Sequence, residues 1–201
     1  PKEMKILSPD TYKMLSVYES LPDELTHDGV ITNKSTPTFF YVDSETKKTT
    51  LKTMATNVHE IGHGFFHLYS YRELNNSNEF IDHDFNKIYT FFYLSKAQNI
   101  LNVFPADNIF PSKELISIIP KELRTFRFEP YIDGDSSTQG EGIVGLLNEF
   151  NAYYLGSKYG YDMYPIYKEL YPDDYLNIWV GNISSTMTSF FEFDFFIKEY
   201  L

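Results

Sequence analysis

The sequence predicts an α+β fold: a small N-terminal mixed sheet with one long helix, followed by a mainly helical C-terminal lobe. Three observations carry that expectation. A run of β-formers, Thr36-Pro-Thr-Phe-Phe-Tyr-Val42, comes just before a proline-free stretch, Leu51 to about Leu74, with helical character. Residues 82–103 and 138–157 then read as further helices, and so does the aromatic tail from about Ser185. The 201 residues suit a single domain, with an N-terminal lobe over about 1–75 and a helical lobe over about 76–201.

Taken in order, Lys5-Ile6-Leu7 reads as a strand, and Thr11 to Leu21 fits a short helix as well as a strand. Pro22-Asp23 and His27-Asp28-Gly29 mark turns. The 36–42 run reads as an edge strand, where its proline is tolerated. Asp43 to Thr50 is polar loop, ending in Thr49 or Thr50 as a cap for the helix that follows. Asn and Ser around residues 74–78 end that helix. Residues 82–103, apolar and aromatic on more than one side, suggest a buried helix ended by Pro105. Ser112-Lys-Glu opens a short helix that Pro120 stops. Residues 124–140 read as a strand fragment and a loop; Asp133-Gly-Asp-Ser136 is a turn, lacking the length and terminal Glu of a calcium loop. Thr138 and Glu141 have capping-box spacing at the head of the next helix. Gly160 to Asp174 reads as a Tyr-rich loop, followed by a short apolar segment around Trp179.

Composition narrows the function classes. A net charge of −11 and no basic stripe argue against nucleic acid and against attraction to a membrane surface. No run approaches the roughly 18 apolar residues of a spanning helix. The absence of cysteine removes disulfides, thiolate metal sites and cysteine nucleophiles. The 17 Tyr and 18 Phe imply a core and cleft built on rings. The chain opens at Pro1 without a signal-like segment, which suggests a trimmed or mature form. A secreted or cell-envelope location is the expectation, with any export signal lying outside this chain.

The informative stretch is His59-Glu60-Ile61-Gly62-His63. Residues four apart share one face of a helix about 6 Å apart, so both imidazoles can grip one metal ion. Glu60, one position round, is placed to take a proton from a metal-bound water. A third ligand is required. His67 lies about 12 Å along the helix from His59 and cannot share the ion. Glu149 is the favoured candidate, because its helix carries Gly142, Gly145, Ala152 and Gly156 on the same stripe. The first helix has Ala55 and Gly62 on its own face, so the two can approach closely. Glu79, Asp82, His83, Asp84, Glu141 and Asp135 are the alternatives.

The two motifs together, with uncharged flanks around the first and Leu147-Asn-Glu-Phe-Asn-Ala-Tyr153 around the second, resemble the zincin metallopeptidases of the gluzincin type. The resemblance covers about thirty residues and implies a zincin-like fold. It also implies an edge strand that pairs with an extended peptide, Zn2+ on His59, His63 and Glu149, and Glu60 as general base in hydrolysis of a peptide or protein substrate. Many members carry Asp where this chain has Tyr153, and lethal-factor-like members carry Tyr where it has Gly142. Tyr153 or Asn148 is therefore expected to orient an imidazole. Tyr153, Tyr154, Tyr161 and Tyr164 are candidate donors to the developing oxyanion, Tyr153 foremost. The competing readings are a zinc-retaining binding or scaffold domain without activity, and a buried helix that binds no metal.

Overall fold

A computed structural model describes residues 2–27, 30–34, 47–76, 88–94, 99–105, 109–136 and 139–201. Helix dominates. α1 (Lys2–Leu7) leads into α2 (Pro9–Ser20), and a two-stranded hairpin, β1 (Glu24–His27) with β2 (Val30–Asn33), follows. Next come α3 (Lys47–Asn76) and a second hairpin, β3 (Ile88–Leu94) with β4 (Asn99–Pro105). Two 3-10 turns (Ser112–Ser117 and Lys121–Leu123) and a π-helical turn (Glu129–Asp133) lead to α4 (Gly142–Asp162), α5 (Tyr164–Leu170) and α6 (Tyr175–Tyr200).

The expected N-terminal mixed sheet is not formed among the described residues. Among the described residues the strands make only two separate antiparallel pairs, so the α+β architecture with a mixed sheet gives way to a helical body with two hairpins. The edge strand expected over residues 36–42 lies outside the described residues. Lys5-Ile6-Leu7 is helical, and the physical reason is one-sided burial. Met4 is buried while Ile6 is 78% exposed, and the Ser8 amide continues the turn by donating to the Met4 carbonyl at 2.8 Å. Pro9 then opens α2, where its missing N–H has no helical partner to lose.

The long helix expected over 82–103 is also corrected. Residues 88–94 and 99–105 pair in register from Ile88 opposite Pro105 to Leu94 opposite Asn99. Ile-Tyr-Thr-Phe-Phe-Tyr-Leu is β-branched and aromatic, and an apolar run without clear alternation has no period that distinguishes strand from buried helix. The strand expected near 124–130 is instead coil passing into the π-helical turn. α4 runs to Asp162 and together with α5 occupies most of the expected Tyr-rich loop, while α6 begins ten residues ahead of Ser185. Thr49 and Thr50 fall inside α3 rather than capping it, and Glu141 occupies the α4 N-cap without a side-chain hydrogen bond.

Two apolar cores meet on α4. In the first, Tyr18 of α2, Val58, Ile61 and Phe65 of α3, and Tyr159 of α4 are almost fully buried. In the second, Leu146 of α4 packs with Leu115, Phe128 and Ile132 and with Phe193 and Phe196 of α6. α4 is thereby held from both sides. Its contact with α3 is very close: a Cβ on Gly156 would sit 2.8 Å from the Ala55 carbonyl oxygen, and one on Gly62 would sit 3.1 Å from Leu155 Cδ1. No helix among the described residues is long and apolar enough to cross a membrane.

Gly156→Ala is therefore expected to destabilise the protein by about 1–3 kcal/mol through overpacking. Gly181→Ala, on α6 with nothing within 4 Å of the added methyl, should instead stabilise it by up to about 1 kcal/mol. Urea unfolding midpoints of the two variants should move in opposite directions.

Candidate metal centre

α3 and α4 bring three side chains to one point. His59 and His63, one turn apart on α3, have their Nε2 atoms 3.1 Å from each other. Glu149 Oε2, from α4, lies 3.8 Å from the first and 3.6 Å from the second. The three ligand atoms are mutually within 4.8 Å. Bonds of about 2.0–2.1 Å to a tetrahedral zinc require ligand atoms about 3.3 Å apart, so all three separations are close to what one ion demands.

The surroundings orient these groups toward a common centre. His63 Nδ1 is 3.0 Å from Asn148 Oδ1, which makes Nδ1 the donor and leaves the Nε2 lone pair facing Glu149. Asn148 is one of the two orienting residues expected from the sequence. A His59 N–H donates to the Ala152 carbonyl, and the Tyr153 ring stands edge-on against His59 with centroids 4.4 Å apart. Glu60 projects from the buried face, its side chain 57% exposed and its Oε1 4.0 Å from His59 Nε2.

The electrostatics show what these groups lack on their own. Burial, with His63 and Arg127 adding to it, drives His59 down to about 3. His63 is also lowered, first by burial, against the opposing pull of Asn148. Burial and then the Glu60 charge push Glu149 up to about 8. The His–Glu distances fall in the ion-pair range, yet without a cation these groups are neutral near pH 7. Glu149 Oε2 is buried and has no hydrogen-bond partner. An orphaned acceptor between two inward-facing imidazoles fits a divalent cation, and two N donors with one carboxylate suit zinc.

The other residues singled out from sequence are distributed differently. The Tyr153 hydroxyl turns to Tyr131, 2.9 Å away. Tyr154 is half exposed, and Tyr161 and Tyr164 pack toward Trp179. Glu141 remains close enough for its charge to act on Glu149, and Asp135 is exposed. Glu79, Asp82, His83 and Asp84 lie outside the described residues. The sequence offered no signal for Arg127 and Tyr131, which approach the site from the segment before α4. Comparison with protein-family models, curated proteins and solved structures finds no match.

The wild-type chain should take up one equivalent of zinc, and Glu149→Ala or His63→Ala should lose it, as read by metal analysis after dialysis. Asn148→Ala should weaken zinc binding about 10–100-fold in a competition titration. The metal-free protein should also respond to pH in a defined direction. A carboxyl raised to about 8 when folded binds more protons than it does unfolded, so its stabilising share is complete below about 4.5 and is lost as pH rises to 8. His59, lowered when folded, acts in the opposite direction but only below about 6.5. Between pH 6.5 and 8 the urea midpoint of metal-free protein should therefore fall, and Glu149→Gln should flatten that dependence.

Proposed function

We propose that this chain is a zinc-dependent peptidase of the gluzincin kind, with zinc held by His59, His63 and Glu149 and with Glu60 as general base. The observation that carries the reading is the convergence of a His/His pair and a carboxylate from two helices, with a further carboxylate exposed at its mouth. Zinc bound there would supply Lewis acidity, polarising a scissile carbonyl and easing deprotonation of a water. Glu60, accessible yet 4.0 Å from His59 Nε2, is within reach of that water's proton and can pass it to the leaving amine. Asn148 and the Ala152 carbonyl hold the imidazoles in place while the proton moves. Tyr153 walls the site against His59.

β3 rests against both α3 and α4, and among the described residues it pairs with β4 alone. A peptide adding to its other edge would use main-chain hydrogen bonds beside the ligand-bearing helices. This assigns to β3 the role that the sequence suggested for residues 36–42.

One observation favours a second reading, a zinc-retaining binding domain without turnover. The Tyr153 hydroxyl, the foremost candidate to stabilise an oxyanion, is engaged by Tyr131. The two readings separate on Glu60→Gln. For a peptidase, the variant should keep its zinc and lose at least about 100-fold in the rate of cleaving a mixed peptide library. Zinc-loaded wild type that cleaves nothing in the same library would leave the binding domain as the function.

A further inference from the structure

A line of buried and half-buried polar groups runs from the His59–His63–Glu149 cluster into the second core. Arg127 is held by Glu192 of α6: the Arg127 amide donates to Glu192 Oε1 at 3.1 Å and the guanidinium pairs with Oε2. The same guanidinium carbon stands 4.7 Å from the Tyr153 ring centroid, and Arg127 hydrogen-bonds the Tyr153 hydroxyl. That hydroxyl is 2.9 Å from the Tyr131 hydroxyl, which in turn hydrogen-bonds the Glu149 carboxyl.

The ionised carboxylate sets the direction of this line, because it can only accept. With the one proton of Tyr131 given to Glu149, Tyr153 is left to donate to Tyr131, beside a guanidinium that can only donate. A carboxylate so held accepts at one side and keeps Oε2, which has no hydrogen-bond partner, for the imidazole side. Tyr131 is rigidly placed for the task. It lies in the π-helical turn, its carbonyl accepts from Ser112 Oγ at 3.2 Å, and its ring packs on Phe193 with centroids 5.1 Å apart. A π-helical turn interrupts regular geometry and is frequent where a side chain must be aimed.

We infer that Tyr131 is the positioning residue for the Glu149 ligand, its hydroxyl aligned by Tyr153, Arg127 and Glu192 so that the carboxylate presents Oε2 to the ion. The inference rests on the zinc reading of the site. It gives the tyrosine at 153 a purpose other than oxyanion stabilisation, and it makes the third ligand's geometry depend on α6.

The test is a competition titration of zinc against a chromophoric chelator on the full chain. It is paired with the visible absorption of the cobalt-substituted protein and the melting temperature of the metal-free form. Tyr131→Phe, which removes only the oxygen, should raise the zinc Kd about 10–100-fold and shift the cobalt bands, with the metal-free melting temperature little changed. Tyr153→Phe should weaken zinc in the same direction, and the double variant should add little to either single change, since both break one line. Wild-type zinc affinity and an unaltered cobalt spectrum in Tyr131→Phe would overturn the inference while leaving the metal site standing. Failure of wild type to bind either metal would remove the metal site itself, and the inference with it.

Discussion

The structure depends on how closely α3 and α4 approach each other. Gly156 lies against the Ala55 carbonyl and His59 Cβ, and Gly62 lies against Leu155 and Ala152, so the pair meet almost backbone to backbone. Imidazole and carboxylate side chains are short, and only such an approach lets Glu149 reach between His59 and His63. Helix glycines are unfavourable by about 1 kcal/mol each relative to alanine. Here that loss is offset by the packing of Phe65, Phe66, Leu155 and Tyr159 around the contact. The polar cluster and the apolar core are thus products of one interface.

Polar burial is organised around that interface. An acceptor such as Glu149 Oε2, buried without a partner, costs about 1–3 kcal/mol or more. Raised in Glu149 and lowered in both histidines, the protonation equilibria describe a set of groups that have given up their charge because water has been excluded. A divalent cation reverses that situation at once: it favours the ionised carboxylate and the unprotonated imidazoles together. Glu60 differs because it stays outside the excluded zone, an exposed carboxylate beside a largely buried cluster.

Helix α6 has a share in the site that its distance in sequence conceals. It supplies Glu192 to Arg127 and Phe193 to both Tyr131 and Tyr153, so the second core reaches the residues beside the His59–His63–Glu149 cluster. The hairpin β3–β4 contributes differently, lying against α3 and α4 where a helix was expected. A helical body with two hairpins can therefore present a long helix and a strand side by side without a continuous sheet.

Much of the site was legible before the fold. His-Glu-x-x-His carries its own geometry, because helical spacing alone puts His59 and His63 on one face. Small residues around Glu149 announced a close helix contact for the same local reason. The fold was less legible. Residues 82–103 are apolar and aromatic on more than one side, so no periodicity separated strand from helix, and Lys5-Ile6-Leu7 is too short for its burial to be read from order alone. By itself the sequence determined which residues could hold a metal and which helices could touch. Only the tertiary structure decided between Asn148 and Tyr153 as the partner of His63, and it alone brought the Ala152 carbonyl, Tyr131 and Arg127 to the cluster, because those partners are set by packing between segments with no shared local pattern.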